Sequence, residues 1–416
     1  MRKHTVWFAA IGIGLANAVL LYVFEFVGID VTAWLWNDVL HTQSEQFRWI
    51  LIPLVAVVLS IVLSALTRSL GEKRVVPVDN DIMAELKDPD TPSTPRDLGI
   101  VLAIGAMSLL AGASIGPEAS LMAASIIIGA WTVNTFKFGA MKQIIILASV
   151  GALLVAFLGS MIMALVPLLL LLEKKQLKLK PALIIILAST VSYITIRLID
   201  AAEAGRGGAG SVAPNMPTIQ GHDFIVAVIV GFITSLIAIA LTWLITYFAR
   251  YTKKLDAKVP WYLSATVFGL VLGGLYLIGG PTIQFSGSLG SHLLVEQAAQ
   301  YGAIALVVMI LTKLLATGWS KAAGYRGGLV FPSIYIGVAL GLLVGVLFPE
   351  YAGAGAMIGG IAGILTAAIG SPLMGALFVL AVLPFNETLL VALCAIAGTI
   401  AFDQLKKRIS RTVKVS

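Results

Sequence analysis

Glu118 stands directly after Pro117 and close behind Ser114, in the stretch GASIGPEASL at 112–121. A serine and a carboxylate so near each other admit two chemistries. The first is nucleophilic, and a serine hydroxyl attacks only when a base takes its proton. His4 and His41 lie near the N-terminus, and His222 and His292 sit at the edges of apolar runs, so no histidine falls well inside a later run to serve Ser114. Without a base, Ser114 reads as a small residue that packs or hydrogen-bonds, and catalysis is not expected. The second chemistry is electrostatic and belongs to the backbone. Proline in the first turn of a helix forfeits an amide that would be unpaired anyway. The helix N-terminus behind it gathers free N–H groups and the positive end of the dipole, which suits an anion. Glu118 in that first turn is then either a carboxylate that complements the dipole or a proton carrier.

A second break repeats the pattern. Placing Pro117 over Pro332 sets GASIGPEASL beside GGLVFPSIYI at 327–336, and each stretch has leading glycines, a proline and an apolar run behind it. Further on, AFLGSMIMALVPLLLL at 156–171 lies over AAIGSPLMGALFVLAV at 367–382, with Gly159/Ser160 matched by Gly370/Ser371. The glycines before each proline, Gly116, Gly327 and Gly328, allow close backbone approach. Broken helices at matching places in two halves are the architecture of many transporters, whose binding site lies between the repeats.

The elements that must carry these breaks are membrane helices. Of 416 residues, 59% are hydrophobic and 12% charged, and the mean hydropathy is +0.97. Such a chain is too apolar for a water-soluble core. A helix needs about 20 mostly apolar residues to span a bilayer, and suitable runs lie at 7–28, 49–67, 181–199, 222–249 and 261–279, with others interrupted by glycine. The first is read as a retained helix because no small-residue cleavage site follows it. The expected class is all-α: a polytopic membrane protein with two inverted-topology repeats and broken, re-entrant helices. Its expected divisions are an N-terminal helix and loop at 1–48, a first repeat at 49–200, an extracytoplasmic linker at 201–221, a second repeat at 222–405 and a short basic tail at 406–416. That short tail leaves no expectation of a cytoplasmic regulatory domain.

Irregular backbone at membrane depth survives only where protein or a polar cavity surrounds it. Two helix N-termini meeting there would make an anion pathway. The net charge of +7 does not point to nucleic acid, because the basic residues cluster at run ends: Arg2/Lys3, Lys174 to Lys180, Arg250 to Lys258 and Lys406 to Lys414. By the positive-inside rule these ends, and both termini, face the cytoplasm, with the plasma (inner) membrane as the expected location. Cys394 is the one cysteine, which excludes an internal disulfide and any cysteine-cluster metal site. Neither a metal nor an organic cofactor is expected.

At these residues the chain resembles the CLC family of chloride channels and proton/anion antiporters. ASIGP at 113–117 is similar to the family's GREGP-type motif and GLVFP at 328–332 to its GxFxP motif; KLLATGWSKAAGYRGGLVFPSIYIGVALG at 313–341, GSPLMGALFVLAV at 370–382 and IAGTIAFDQLKK at 396–407 follow the family's order. GASIGPE with GYRGGLVFP further resembles a bacterial subgroup of ion-transport proteins that lacks the gating glutamate. The resemblance implies a homodimer in the lipid bilayer, each subunit passing chloride or another small anion. It places Ala113, Ser114, Ile115 and Gly116 beside an outer anion site, and Gly328 with the amides of Leu329, Val330 and Phe331 at a central one. Ile115 takes the place of the gating glutamate, and isoleucine can neither compete with anions nor carry protons. The inner proton-transfer glutamate falls near Leu172, with Glu173 beside it. KRVVP at 73–77 replaces a serine motif and puts Arg74 at the serine, and QLKKRISRTV at 404–413 offers no pore-closing tyrosine.

Two functions follow. One is a passive anion channel or uncoupled uniporter, most simply for chloride; the other is a proton-coupled antiporter in which Glu118 carries the proton. Arg326, before the second break, either raises the local potential or pairs with a carboxylate or carbonyl. Arg74 is either an anion attractor or positive-inside charge. Lys313 is either a functional intramembrane cation or one that snorkels to the interface. Trp7, Trp34, Trp36 and Trp49 read as interfacial aromatics.

Overall fold

The computed structural model describes residues 4–40, 45–70, 94–173, 175–202, 218–369, 372–383 and 388–415. Before the linker lie α1 (Thr5–Phe24), α2 (Glu45–Leu70), α3 (Pro95–Leu110), α4 (Glu118–Phe136), α5 (Lys142–Leu158), α6 (Leu165–Glu173) and α7 (Leu179–Ala202). After it come α8 (Asp223–Lys258), α9 (Trp261–Gly279), α10 (Ser288–Glu296), α11 (Ala303–Ala322), α12 (Val330–Leu347), α13 (Ala354–Ile369), α14 (Pro372–Val382) and α15 (Thr388–Val415). Among the described residues no β-strand forms, and nine helical stretches are long and apolar enough to cross a membrane. The five runs read from the sequence are among them; the helices at Glu118–Phe136, Gly139–Leu158, Ala303–Ala322 and Val330–Leu347 complete the set. Large apolar side chains such as Phe8, Ile50, Trp243 and Ile304 point outward, as expected where lipid is the solvent. The chain is a multi-pass membrane protein.

Packing partners repeat between the halves. In the first, α1 packs on α5 and α7, α5 on α4, α6 and α7, and α3 on α2 and α4; in the second, α8 packs on α13 and α15, α13 on α12, α14 and α15, and α11 on α9 and α12. The halves join along α2 and α9, where Gly269 and Gly273 lie against the backbone at Ala56 and Pro53. Membrane helices gain little from expelling water from each other, so small residues that let backbones approach are what such a seam requires.

Two details differ from the sequence reading. The stretch after α1, read as a loop, stays helical to Leu40 through π-helical segments at Glu25–Asp30 and Trp34–Leu40. Trp36 is fully buried rather than interfacial. Its Nε1 donates to the Leu110 carbonyl at 2.9 Å, and its ring meets Tyr276 and Phe285 edge-on; Trp34 and Trp49 do lie exposed. Most of the expected linker, 203–217, and Arg74 within KRVVP lie outside the described residues.

Candidate functional site

The site begins where α3 ends. Thr94 and Asp97 close a capping box at its start, and Gly112, with φ of +87°, turns the chain after its last turn. A side chain at Gly112 would strike the Trp36 ring. The next residues cross the break, and the chain re-enters a helix at Pro117, the N-cap of α4. On the other half α11 ends at Ala322, residues 323–329 form the second break, and α12 starts at Val330.

The two breaks touch. Gly116 N–H donates to the Gly328 carbonyl at 2.9 Å and Gly328 N–H to the Gly116 carbonyl at 2.8 Å, a two-residue antiparallel bridge. It brings the N-termini of α4 and α12 side by side. Around it the hydroxyls of α11 are also engaged: Ser114 N–H donates to Ser320 Oγ at 3.0 Å, and Ser114 Oγ pairs with Thr317 Oγ1 at 3.2 Å. Ser114 therefore meets hydroxyls and not a base. Tyr276 donates its hydroxyl to the Gly112 carbonyl, and Tyr325 pairs with Ser60 Oγ at 2.5 Å.

Glu118 is where the structure adds most. Its side chain caps the other half's helix: Val330 N–H donates to Glu118 Oε1 at 2.6 Å. The amides of Phe331 and of Glu118 itself also act on this carboxylate, and Lys321 is the charged side chain that acts on it. Lys321 Nζ in turn donates to the Gly327 carbonyl at 3.1 Å. Glu118 is 9% exposed, and its Oε2 is buried without a hydrogen-bond partner. A Cβ on either Gly116 or Gly328 would overlap the carboxylate, so the two glycines form its cradle.

The residues singled out for anion binding converge here, and most of their donors are in use. Ala113 N–H bonds the Ser108 carbonyl at 3.1 Å, Ser114 N–H the Ser320 hydroxyl, Gly116 and Gly328 each other, and Val330 the Glu118 carboxylate. Ile115 is fully buried, its side chain against Gly327. Arg326, half-buried, donates its N–H to Ser108 Oγ at 3.0 Å. Leu172 and Glu173 both lie exposed at the end of α6.

Lys313 does not snorkel. It is fully buried in α11, with Nζ donating to the Ile283 carbonyl at 2.9 Å and the Phe285 carbonyl at 2.6 Å and lying 5.2 Å from the centre of the Tyr335 ring. These bonds fix the turn before α10, which forms part of the wall of a cavity of about 780 Å³. The cavity reaches Pro117, Phe157 and Phe331 at the two helix ends, and Glu25, Asp30 and Asp200 also line it. No sequence pattern pairs Lys313 with Ile283 and Phe285, or Tyr276 with Gly112. Only the fold brings them together.

Two broken helices whose N-termini lie side by side inside an all-helical membrane protein define a class of ion-transport fold, and known proteins share it. Residues 61–403 match the family model described as the voltage gated chloride channel. The chain belongs to that family. It is 29% identical over 215 residues to an uncharacterized protein of Methanocaldococcus jannaschii, covering 51% of each chain. It is 34% identical over 128 residues to "Putative ion-transport protein YfeO" of Escherichia coli, covering 31% of this chain and 30% of that one. The matches thus span about half, or less, of these relatives' length. Among solved structures, one described as a slow cyanobacterial Cl-/H+ antiporter superposes with a TM-score of 0.76 over 97% of both chains at 19% identity. At that identity the likeness establishes the fold: all-α, polytopic and CLC-like.

Proposed function

We propose that this protein is an anion transporter of the CLC type working as a passive channel or uncoupled uniporter, with chloride as its first candidate ion. The observation that carries the proposal is the pair of helix N-termini at α4 and α12, joined by the Gly116–Gly328 bridge with a carboxylate already seated on the Val330 amide. A site that holds a carboxylate in place has the donors and the field to hold a small anion. The cavity at Pro117 and Phe331 supplies an approach from one side. Ile115, apolar and fully buried at the family's gating position, supports uncoupled passage. The same proposal includes a homodimer in the plasma membrane, with both termini cytoplasmic and no catalysis.

The second reading is a proton-coupled antiporter. It is favoured by the shared fold of the cyanobacterial protein described as a Cl-/H+ antiporter and by a titratable group, Glu118, at the site. Anion efflux from loaded vesicles, with chloride, bromide, nitrate and fluoride compared and potassium as the cation control, tests transport itself. Selective anion release is the expected result. Equal release of cations, or none of any anion, sinks the proposal.

A further inference from the structure

The geometry points to a binding site for the headgroups of anionic phospholipids at the C-terminal end of α8, whose occupancy steadies the second break. The ligand is a lipid, and the site stands apart from the two helix N-termini proposed to hold the anion.

α8 is too long to lie wholly in hydrocarbon. Its 36 residues extend about 54 Å at about 1.5 Å per residue, whereas the hydrocarbon core is about 30 Å thick and helix tilts reach only about 40°. Part of it must emerge among the headgroups. The stretch from Phe224 to Ala249 carries no charge, and Arg250, Lys253, Lys254 and Lys258 follow it with Asp256 as the one acid. Along this end an exposed face changes character in order. Trp243, Tyr247 and Tyr251 lie on it first, joined by Arg250, Lys254 and Lys258. Steps of three and four residues keep all six on one side of a helix. The Trp243 and Tyr247 rings stack at 5.4 Å. Such rings belong at headgroup level, and cations one or two turns further out attract anionic lipid. Among the described residues no carboxylate lies within ion-pair distance of these three cations. Trp261, at the start of α9, has Arg68 Cζ 5.9 Å from the centre of its ring and adds a second aromatic and cation to this corner. A second copy of the chain fits the face less well, since it would set like charges against each other.

The opposite face ties this end to the second break. Thr252 is buried and donates its hydroxyl to the Ala322 carbonyl at 2.8 Å, and Ala322 is the last residue of α11. Trp319, one turn earlier, meets Phe248 edge-on at 5.4 Å and donates Nε1 to the Phe268 carbonyl of α9 at 3.1 Å. Headgroups that hold the end of α8 therefore hold the end of α11, from which Gly327, Gly328 and Val330 follow. Basic charge that only set the orientation of the chain would need neither the aromatic face nor this bond.

Calorimetry on purified protein in detergent, with dihexanoylphosphatidylglycerol, dihexanoylphosphatidylcholine and inorganic phosphate as titrants, tests the site. Wild type should bind the phosphatidylglycerol roughly tenfold more tightly than the phosphatidylcholine, and inorganic phosphate most weakly. Arg250→Gln/Lys254→Gln should abolish the preference. Lys178→Gln/Lys180→Gln, which removes the same charge at the exposed start of α7, should keep it. Melting curves with either lipid, and chloride efflux from phosphatidylcholine vesicles with and without phosphatidylglycerol, test the link to the break. The rise in melting temperature and in efflux that the anionic lipid gives wild type should be lost in Thr252→Val, although that variant still binds the lipid. Equal binding of the two lipids by wild type, loss of preference in both double variants, or inorganic phosphate bound as tightly as lipid would overturn the site. A full response to lipid in Thr252→Val would overturn its hold on the break. Absence of chloride efflux from every vesicle would instead overturn the transport reading, with calorimetry and melting still deciding this inference.

Discussion

Gly116 and Gly328 come from different halves of the chain and exchange both of their backbone hydrogen bonds. This bridge sets the register of two helix ends against each other in the buried interior of the protein, where an unpaired polar group is costly. It also fixes how little room is left, because a Cβ on either glycine would overlap the Glu118 carboxylate.

Gly328→Ala is accordingly expected to lower stability by about 1–3 kcal/mol, the range for overpacking a filled site, and to abolish anion flux. Gly99 is the internal control. It lies in α3 with nothing within 4 Å of an added Cβ, so Gly99→Ala should be neutral or gain up to about 1 kcal/mol of helix propensity. Melting curves in detergent, read beside vesicle flux, check both.

Lys313→Met should cost about 2–3 kcal/mol, because the Ile283 and Phe285 carbonyls lose their donor in a buried place. It should also slow anion entry, since the turn that forms part of the cavity wall loses the bonds that hold it. Thermal melting and initial efflux rates separate the two effects, and full flux in Lys313→Met would remove this lysine from the anion path.

Ile115→Ala removes a fully buried side chain. Stability should fall by about 2–4 kcal/mol, as for other large-to-small core changes. Passive anion flux should persist, because the donors at α12 are main-chain groups. Loss of flux in variant protein that remains folded by circular dichroism would show that the side chain itself matters to passage.

Asp200 lines the cavity together with Glu25 and Asp30, and their charges oppose an entering anion. Asp200→Asn is expected to raise anion flux about twofold at low ionic strength. The gain should shrink in about 0.5 M salt, where the screening length is only about 4 Å. A gain of equal size at both salt concentrations would rule out the electrostatic explanation.

What the sequence disclosed and what it withheld have a common physical root. Gly112, Pro117 and Pro332 are local signals, since a helix must stop and restart at them whatever surrounds it, and both breaks stand where those residues put them. The five apolar runs are legible for the same reason. Partners far apart in the chain carry no such mark. Glu118 reads from its position as a complement to the dipole of its own helix, but its carboxylate crosses to Val330. Trp36 has the composition of an interfacial residue, yet the π-helical turn around it and the acceptor at Leu110 draw it inside. Lys313 has a stem long enough to snorkel, and the two carbonyls of the turn before α10 hold it in the core.

The most direct test of uncoupled passage records anion and proton movement together, in vesicles carrying a steep outward chloride gradient and a pH probe, with the electrical potential clamped by potassium and valinomycin. The account expects chloride to run down its gradient with no uphill proton movement. Protons driven uphill at a fixed ratio to chloride would contradict it and make the protein an antiporter.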